Sequence, residues 1–302
     1  MIYTITLNPA LDYTLEVKDF NINKINKSKT KYILPGGKGI NVSIILKRLD
    51  INSTAIGFIS GFVGEEIKRQ LSLQKIDTNF ININSQNSRI NVKILDGEKE
   101  TAVNCKGPFI EKKYIDELLK KLDNLKNDDI LVLSGSIPDG VDLNIYEKMC
   151  EKLKNKNIKI IVDSTKDLLL NTLKYNPFLI KPNQNELEEI FNINISTKEQ
   201  AIEYAKKLQQ KGAKNVLVSM GGNGLVFLDE NGNCYKQKAI KIKKIINTVG
   251  AGDSMVAGFL AGYLKYNDYN EALKLGISAA TATVNSVYLG EKEEIIEYFN
   301  SF

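Results

Sequence analysis

The chain has 302 residues, and its 43% hydrophobic and 25% charged residues are typical of a globular protein rather than a disordered one. Its formal net charge of +5 is small and comes mostly from scattered lysines, which argues against a nucleic-acid-binding protein. The absence of histidine excludes Ser-His-Asp and Cys-His catalysis and disfavours a typical zinc site, so acid–base chemistry would fall to Asp, Glu, Lys or Tyr.

The cysteines and the hydropathy pattern indicate a cytoplasmic protein. Cys105, Cys150 and Cys234 show neither CxxC pairing nor metal-ligand spacing, which favours reduced thiols. The amino-terminal residues are typical of an apolar strand rather than a secretory signal, and no stretch approaches the roughly 20 apolar residues of a membrane span. We expect no nucleic-acid or membrane partner.

The first predicted strand is followed by a segment of a different character. The apolar run Ile2–Leu7 predicts a buried strand. Tyr13–Leu34 and the later Ser88–Lys106 are long and polar and alternate roughly with period two, which predicts antiparallel strands with one solvated face. We interpret these segments as two insertions that form a small β-sheet lid over the ligand crevice of a single domain spanning residues 1–302.

Between the two lid segments, glycines stand before a predicted helix. The stretch Pro35–Ser43 reads PGGKGINVS and leads into an amphipathic pattern that runs to about Leu49. Lys38 and Asn41 add hydrogen-bond donors suited to sugar hydroxyls or to a phosphate. An ordinary loop-to-helix turn explains this stretch about as well when it is taken alone.

Strands and helices alternate through the rest of the chain. The later predicted buried strands are Ile130–Leu133, Ile158–Val162, Phe178–Ile180 and Val216–Val218. The clearest helical patterns are Tyr114–Leu125, Ile145–Leu153 and Lys198–Gln210. This alternation predicts βαβ units and a mostly parallel sheet covered by helices on both faces, with ligands bound beyond the carboxyl ends of the strands.

A second glycine stretch, Thr248–Ser254 (TVGAGDS), precedes a helix-compatible run from Met255 to Leu264. Its first helical turn should fall at Gly250–Asp253, where unpaired N–H groups and the helix dipole can bind an anion. Asp253 would lie beside that anion, in a position to take a proton from an attacking hydroxyl. A simple N-cap aspartate is the commoner explanation of Gly-x-Gly-Asp. The length of this stretch and its small-residue helix nevertheless favour an anion site, although it lacks the Lys of a P-loop and the third glycine of a dinucleotide fingerprint.

Six stretches in order along the chain resemble signatures of the phosphofructokinase B family of ribokinase-like carbohydrate kinases. They are Asn8–Asp12, Gly36–Val42, Ser134–Pro138, Lys181–Glu186, Val218–Gly224 and Asn247–Ser254. Because they cover nearly the whole chain, the joint resemblance is specific. It implies a ribokinase-like three-layer α/β/α domain with a mostly parallel sheet and a small β-sheet lid.

The resemblance also implies roles for individual residues. Asp253 would be the catalytic base, and Gly250, Ala251 and Gly252 would form an anion hole for the transferring phosphoryl group. Asn183 and Glu186 match an Asn-x-x-Glu element that would act on Mg²⁺ through water, whereas without the resemblance they predict a helix cap. The implied ATP-binding residues are Lys181, Asn183, Ser219, Gly221, Gly224 and Thr248. The implied sugar-phosphate ligands are Asp12, Gly37, Lys38, Asn41 and Asn104, with Lys27 and Arg89 of the lid on the phosphate that the sugar already carries.

The function implied by the resemblance is ATP- and Mg²⁺-dependent phosphorylation of a ketohexose monophosphate, with D-fructose 1-phosphate as the expected acceptor and fructose 1,6-bisphosphate as the product. Tagatose 6-phosphate and fructose 6-phosphate are alternative acceptors within the family. A non-catalytic sugar-phosphate sensor is an alternative of another class, which the intact Gly-Ala-Gly-Asp sequence disfavours because a binder needs no base. A dinucleotide-dependent oxidoreductase is disfavoured by the missing third glycine. Lid strands with an exposed apolar face would also allow a homodimer.

Overall fold

The computed structural model describes residues 1–84, 86–97 and 99–302. The strands in these residues are β1 Ile2–Thr6, β2 Ala10–Val17, β3 Ser28–Gly36, β4 Ser53–Ile59, β5 Asp77–Thr78, β6 Ile81–Asn82, β7 Arg89–Asp96, β8 Lys99–Asn104, β9 Ile130–Ser134, β10 Lys159–Asp163, β11 Leu179–Ile180, β12 Asn215–Ser219, β13 Leu225–Leu228 and β14 Cys234–Gln237. The α-helices are α1 Lys38–Arg48, α2 Gly61–Leu73, α3 Lys112–Lys121, α4 Ile145–Leu153, α5 Lys166–Leu170, α6 Gln184–Phe191, α7 Lys198–Gln210, α8 Ala251–Tyr266, α9 Tyr269–Val284 and α10 Lys292–Phe299.

A ten-stranded sheet runs through the centre of the protein in the order β14-β13-β12-β11-β10-β9-β1-β4-β5, with β6 paired to β4. The strands from β12 to β5 pair in parallel, and β13 and β14 add an antiparallel edge. Most of the parallel strands are joined by helical crossovers, so their carboxyl ends meet along one edge of the sheet.

The sheet is covered by helices on both faces, as the sequence predicts. Alternate residues of one strand enter different cores. Ile130 and Val132 of β9 belong to the core on the side of α1, α8 and α9, while Leu131 and Leu133 belong to the core on the side of α3, α4 and α7. A strand buried on both sides must be apolar at every position, which is why these strands appear as unbroken apolar runs. The mostly parallel, two-sided architecture is confirmed.

Helix positions largely match the sequence patterns. The predictions Ile145–Leu153 and Lys198–Gln210 agree with α4 and α7. The pattern Tyr114–Leu125 was too long, because α3 ends at Lys121 and continues as a short 3₁₀ turn. No helix in the described ranges is long and apolar enough to cross a membrane.

A separate four-stranded sheet, ordered β3-β2-β7-β8, forms the lid. The pairs β2–β3 and β7–β8 are antiparallel, but β2 and β7 pair in parallel. The expectation of purely antiparallel strands is therefore wrong for the central pair. Each insertion is a hairpin whose first strand leaves the main domain and whose second strand returns. The two outgoing strands are neighbours, so they run in the same direction.

Candidate active site

The amino termini of α1, α6 and α8 lie around one cavity beyond the carboxyl ends of the central strands. Helix α8 begins at Ala251, and Gly250 before it adopts a left-handed conformation with φ of 82°. This position requires glycine, because a Cβ there would lie only 2.6 Å from Leu289 Cδ2. In the described part of the chain, the N–H groups of Gly252 and Asp253 have no acceptor. The sequence predicts free N–H groups at Gly250, Ala251 and Gly252, but the Ala251 N–H donates to Thr248 O at 3.4 Å, so Ala251 is not available as an anion-hole donor. The free amides that remain are suited to an anion.

Asp253 lies in the first turn of α8 and is only 5% exposed. Asn41, in the first turn of α1, donates a hydrogen bond from Nδ2 to Asp253 Oδ2 at 2.8 Å. Burial, reinforced by the negative charge of Asp163, raises the pKa of Asp253 to about 6. A carboxyl group with that pKa is ionised above neutral pH and can accept a proton from a hydroxyl, as a general base must.

Asp163, at the carboxyl end of β10, is a central residue that the sequence reasoning missed. Its Oδ1 lies 3.1 Å from Lys38 Nζ and 3.3 Å from Lys181 Nζ. Burial favours the neutral acid, but these two lysines hold the pKa of Asp163 below its usual value. Its Oδ2 is buried without a hydrogen-bond partner among the described residues. A polar residue directly after the predicted strand Ile158–Val162 was the available signal, since strand carboxyl ends bear the ligands in such sheets.

The two lysines place positive charge beside the start of α8. Lys181 is almost fully buried, and a Cβ on Gly252 would lie only 3.2 Å from Lys181 Nζ. Burial lowers the pKa of Lys38, but the negative charges of Asp163, Asp253 and Glu186 outweigh this and raise it overall. Lys38 therefore remains protonated, and Lys181 lies beside the unpaired amide of Gly252, so both side chains are suited to hold phosphate oxygens.

Asn183 and Glu186 form a reciprocal cap at the start of α6. Asn183 Oδ1 accepts from the Glu186 N–H at 2.8 Å, and Glu186 Oε2 accepts from the Asn183 N–H at 2.8 Å. Both residues line the cavity, and Glu186 Oε1 has no hydrogen-bond partner within residues 1–84, 86–97 and 99–302. The helix cap expected from the sequence is confirmed, and one carboxylate oxygen remains for a ligand.

The donor set fits a magnesium ion held largely by a ligand's phosphates. The described residues contain no group of three or more His, Cys, Asp or Glu side chains placed to hold a metal. The orphaned oxygen of Asp163 and the spare oxygen of Glu186 are hard, anionic ligands near two lysines. Mg²⁺ is commonly bound through one or two carboxylates, several waters and substrate phosphates.

One end of the cavity is formed by backbone and apolar side chains. Of the residues expected to bind ATP, Ser219, Gly221, Gly224 and Thr248 all line it. Gly224, directly before β13, has a φ of 87°, and a Cβ there would lie 2.2 Å from the backbone oxygen of Gln237 at the end of β14. A side chain at this position would therefore clash with β14. The apolar wall comprises Met220, Ala239, Ile240, Ile242, Ile245, Ile277, Ala280 and Val284. Such a wall suits the flat face of a nucleobase.

The other end is lined by residues of the small four-stranded sheet. Asp12 on β2 and Asn91 on β7 are partners in the parallel register, and Asn91 faces Asn104 on β8. Asn91 Nδ2 donates to Asp12 Oδ1 at 2.8 Å. Arg89, on the same face of β7, is half-buried and donates from Nε to Asn8 O, and burial lowers the pKa of its guanidinium. Asn91 is a second residue that the sequence reasoning missed, although its position two residues after Arg89 in an alternating strand predicts the same face.

The cavity has a volume of about 1040 Å³ and brings together all but one of the residues expected at the site. The exception is Lys27, which lies exposed at the end of the loop that joins β2 and β3. That hairpin carries Lys27 beyond the cavity of its own chain, so its contact with the sugar's phosphate stays a prediction. The other expected residues in the lining are Asp12, Gly37, Lys38, Asn41, Arg89, Asn104, Lys181, Asn183, Glu186, Gly250, Ala251, Gly252 and Asp253.

A buried carboxyl group beside unpaired helix amides and two lysines is an arrangement suited to phosphoryl transfer. A family model described as pfkB family carbohydrate kinase matches residues 6–295 of this chain, and the protein belongs to this family. It is a kinase with the ribokinase-like fold, so both the resemblance and the fold expected from the sequence are confirmed.

Individual relatives and solved structures are similar to this chain over nearly its whole length. The 1-phosphofructokinase of Bacillus subtilis is 44% identical over 97% of this chain and 95% of its own length. The D-tagatose-1-phosphate kinase of Bacillus licheniformis is 35% identical over 98% of this chain and 96% of its own. The crystal structure of phosphofructokinase-2 from Escherichia coli in complex with substrates and products has a TM-score of 0.93 at 27% identity, and the match covers 99% of this chain and 98% of that one.

Proposed function

We propose that this kinase transfers the γ-phosphoryl group of ATP to D-fructose 1-phosphate and forms fructose 1,6-bisphosphate and ADP. The observation that carries this proposal is Asp253, a buried carboxyl group with a pKa of about 6, in the same helical turn as unpaired amide N–H groups. A non-catalytic sensor would have no use for such a base. The choice of sugar rests on the similarity to the Bacillus subtilis relative.

In the proposed reaction, Asp253 removes the proton from the free primary hydroxyl at C6 of the sugar. The oxygen then forms a bond to the γ-phosphorus as the bond from that phosphorus to the ADP oxygen breaks, and ADP leaves with the electron pair. Asn41 holds the Asp253 carboxylate in place through the 2.8 Å hydrogen bond to Oδ2. The N–H groups of Gly252 and Asp253, with Lys181 beside them, stabilise the charge on the transferring group.

The remaining residues position the two substrates. We assign Ser219, Gly221, Gly224 and Thr248 to ATP, and Asn183 and Glu186 to the waters around Mg²⁺, which when bound would neutralise phosphate charge. Asp12, Gly37, Lys38 and Asn104 would bind the sugar, and Arg89 its phosphate. Closing the lid would exclude water, which would otherwise compete with the sugar for the phosphoryl group.

The test is an ADP-release assay with ATP and Mg²⁺ across fructose 1-phosphate, fructose 6-phosphate, tagatose 6-phosphate, fructose and ribose. We expect the highest kcat/KM for fructose 1-phosphate, and no turnover after metal removal by EDTA. A preference for an unphosphorylated sugar would overturn the proposed substrate class. A preference for either 6-phosphate would replace the proposed acceptor with that sugar and keep the reaction.

We further infer that two copies of the chain pair through the lid. Ile22 and Ile25, in the loop between β2 and β3, are 80% and 98% exposed, and Val103 on β8 is 53% exposed. These exposed apolar side chains lie at the tip of one lid hairpin and on the edge strand of the other, where a second copy of the chain could cover them. Light scattering should give the mass of a dimer for the wild type and of a monomer for an Ile22→Ser, Ile25→Ser double variant. A monomeric wild type would rule out this pairing.

A further inference from the structure

The lid contains a buried hydrogen-bond acceptor that has no partner among the described residues. Asn91 is 9% exposed, and its Oδ1 is buried with no hydrogen-bond partner in the described part of the chain. Leaving a buried amide oxygen unpaired costs about 1–3 kcal/mol. Because Asn91 lines the cavity, a ligand group that donates a hydrogen bond to this oxygen would remove that cost.

The orientation of this amide is determined by its neighbour. Asp12 can only accept hydrogen bonds when ionised, so the Asn91 atom 2.8 Å from Asp12 Oδ1 must be the NH₂ group. The opposite atom of the amide, Oδ1, is therefore the acceptor. Register pairing of Asp12 with Asn91 across β2 and β7 keeps the two side chains side by side.

Other unpaired amide oxygens of the cavity have different surroundings. Asn8 Oδ1 is covered by Gly107, where a Cβ would lie 2.0 Å from it. Asn41 Oδ1 belongs to the side chain that holds Asp253, and so lies next to the reacting hydroxyl. Asn91 is the one of these three that lies on the lid, on the same strand face as Arg89.

We propose that Asn91 determines which C4 epimer of the ketohexose 1-phosphate the enzyme accepts, by accepting a hydrogen bond from the C4 hydroxyl of D-fructose 1-phosphate. This inference rests on the proposed function. The proposed function places the C6 hydroxyl at Asp253 and the phosphate at Arg89. The C3 and C4 hydroxyls would then fall between these two ends, in the cavity that Asp12 and Asn91 also line. D-Fructose and D-tagatose differ only in configuration at C4, and relatives of this chain include a kinase named for each.

An amide oxygen discriminates epimers better than the carboxylate beside it. Asp12 has two oxygens with several lone pairs, so it accepts from a broad range of directions. Asn91 offers a single oxygen whose plane is fixed by its bond to Asp12. The inverted C4 hydroxyl of tagatose points away from that oxygen and leaves it unpaired, and a site built to bind a hydroxyl rejects a sugar that cannot supply it.

The experiment compares kcat/KM for D-fructose 1-phosphate and D-tagatose 1-phosphate in the wild type, Asn91→Leu and Asn91→Ala. The wild type should prefer the fructose sugar, and both variants should reduce that ratio by about tenfold or more, chiefly by losing activity on fructose 1-phosphate. The KM for ATP should stay unchanged. Asn82→Leu, the same substitution at an exposed strand position outside the cavity, should leave the ratio as it is.

The outcomes separate this inference from the proposed function. Equal loss on both sugars would mean that Asn91 only positions Asp12, and would overturn the inference while the kinase assignment stands. A wild type with equal kcat/KM for both epimers would also overturn the inference and leave the kinase assignment in place. A wild type that uses neither 1-phosphate would overturn the proposed substrate, and the inference with it.

Discussion

Replacing Asp253 with asparagine should harm catalysis and stabilise the fold at the same time. The change keeps the shape of the side chain, and its amide oxygen can still accept from Asn41 Nδ2, which lies 2.8 Å from Oδ2 in the wild type. Without a general base, turnover should fall by about 10²- to 10⁴-fold. Binding of the sugar phosphate should be largely kept, because the role proposed for Asp253 is to take the proton and not to hold the sugar.

The stability effect follows from the pKa of the carboxyl group. The pKa of Asp253 is raised from 3.8 to about 6 by folding. Once the group is ionised in both states, this shift lowers the unfolding free energy of the wild type by about 3 kcal/mol. Below pH 4, roughly, the group is protonated in both the folded and the unfolded chain, so it costs nothing. As the pH rises from there to about 6, the unfolded chain releases the proton first, and the wild type loses stability relative to the variant.

Urea unfolding of both proteins without ligand, at pH 8 and near pH 4.5, measures this difference. We expect Asp253→Asn to be the more stable protein at pH 8, with an advantage that shrinks strongly at the acidic pH. Asp116→Asn, on the half-exposed face of α3, is the matched control and should shift stability little at either pH. A variant that is less stable at pH 8, or one with near-normal turnover, would refute the reasoning about Asp253.

Three further predictions concern the charges, the lid and the core. Asp163→Asn should move the acid limb of the kcat/KM profile to lower pH by about one pH unit, since Asp163 helps to raise the pKa of Asp253; an unmoved limb would contradict that coupling. Arg89→Ala should raise the KM for the sugar phosphate at least tenfold more than the KM for ATP, by roughly the loss of one charged hydrogen bond, and equal effects in steady-state kinetics would remove Arg89 from the phosphate site. Gly258→Ala should lower the unfolding free energy by about 1–3 kcal/mol in urea titrations, because its Cβ would lie 2.5 Å from Leu275 O where α8 and α9 pack together; an unchanged midpoint would show that the helices can separate at no cost.

Features that depend on near neighbours in the chain were predictable. The start of α8 followed from glycines before a small-residue helix, and the cap at Asn183 followed from the spacing to Glu186. The strands of the central sheet followed from apolar runs, since a strand covered on both faces must be apolar throughout. Asp253 as a candidate base came from the same local reasoning about a helix terminus.

The sequence by itself determined the element pattern, the two glycine-rich helix starts and, through its resemblance, the family. Only the tertiary structure decided which side chains meet. Asn41 reaches Asp253 across 212 residues because α1 and α8 pack against each other. Lys38, at the start of α1, reaches Asp163 at the carboxyl end of β10 across 125 residues. The pairing of Asp12 with Asn91 depends on the register of β2 against β7, and one residue of slippage would turn Asn91 to the other face. Propensity and spacing carry no information on such long-range register, so these contacts appear only in the folded chain.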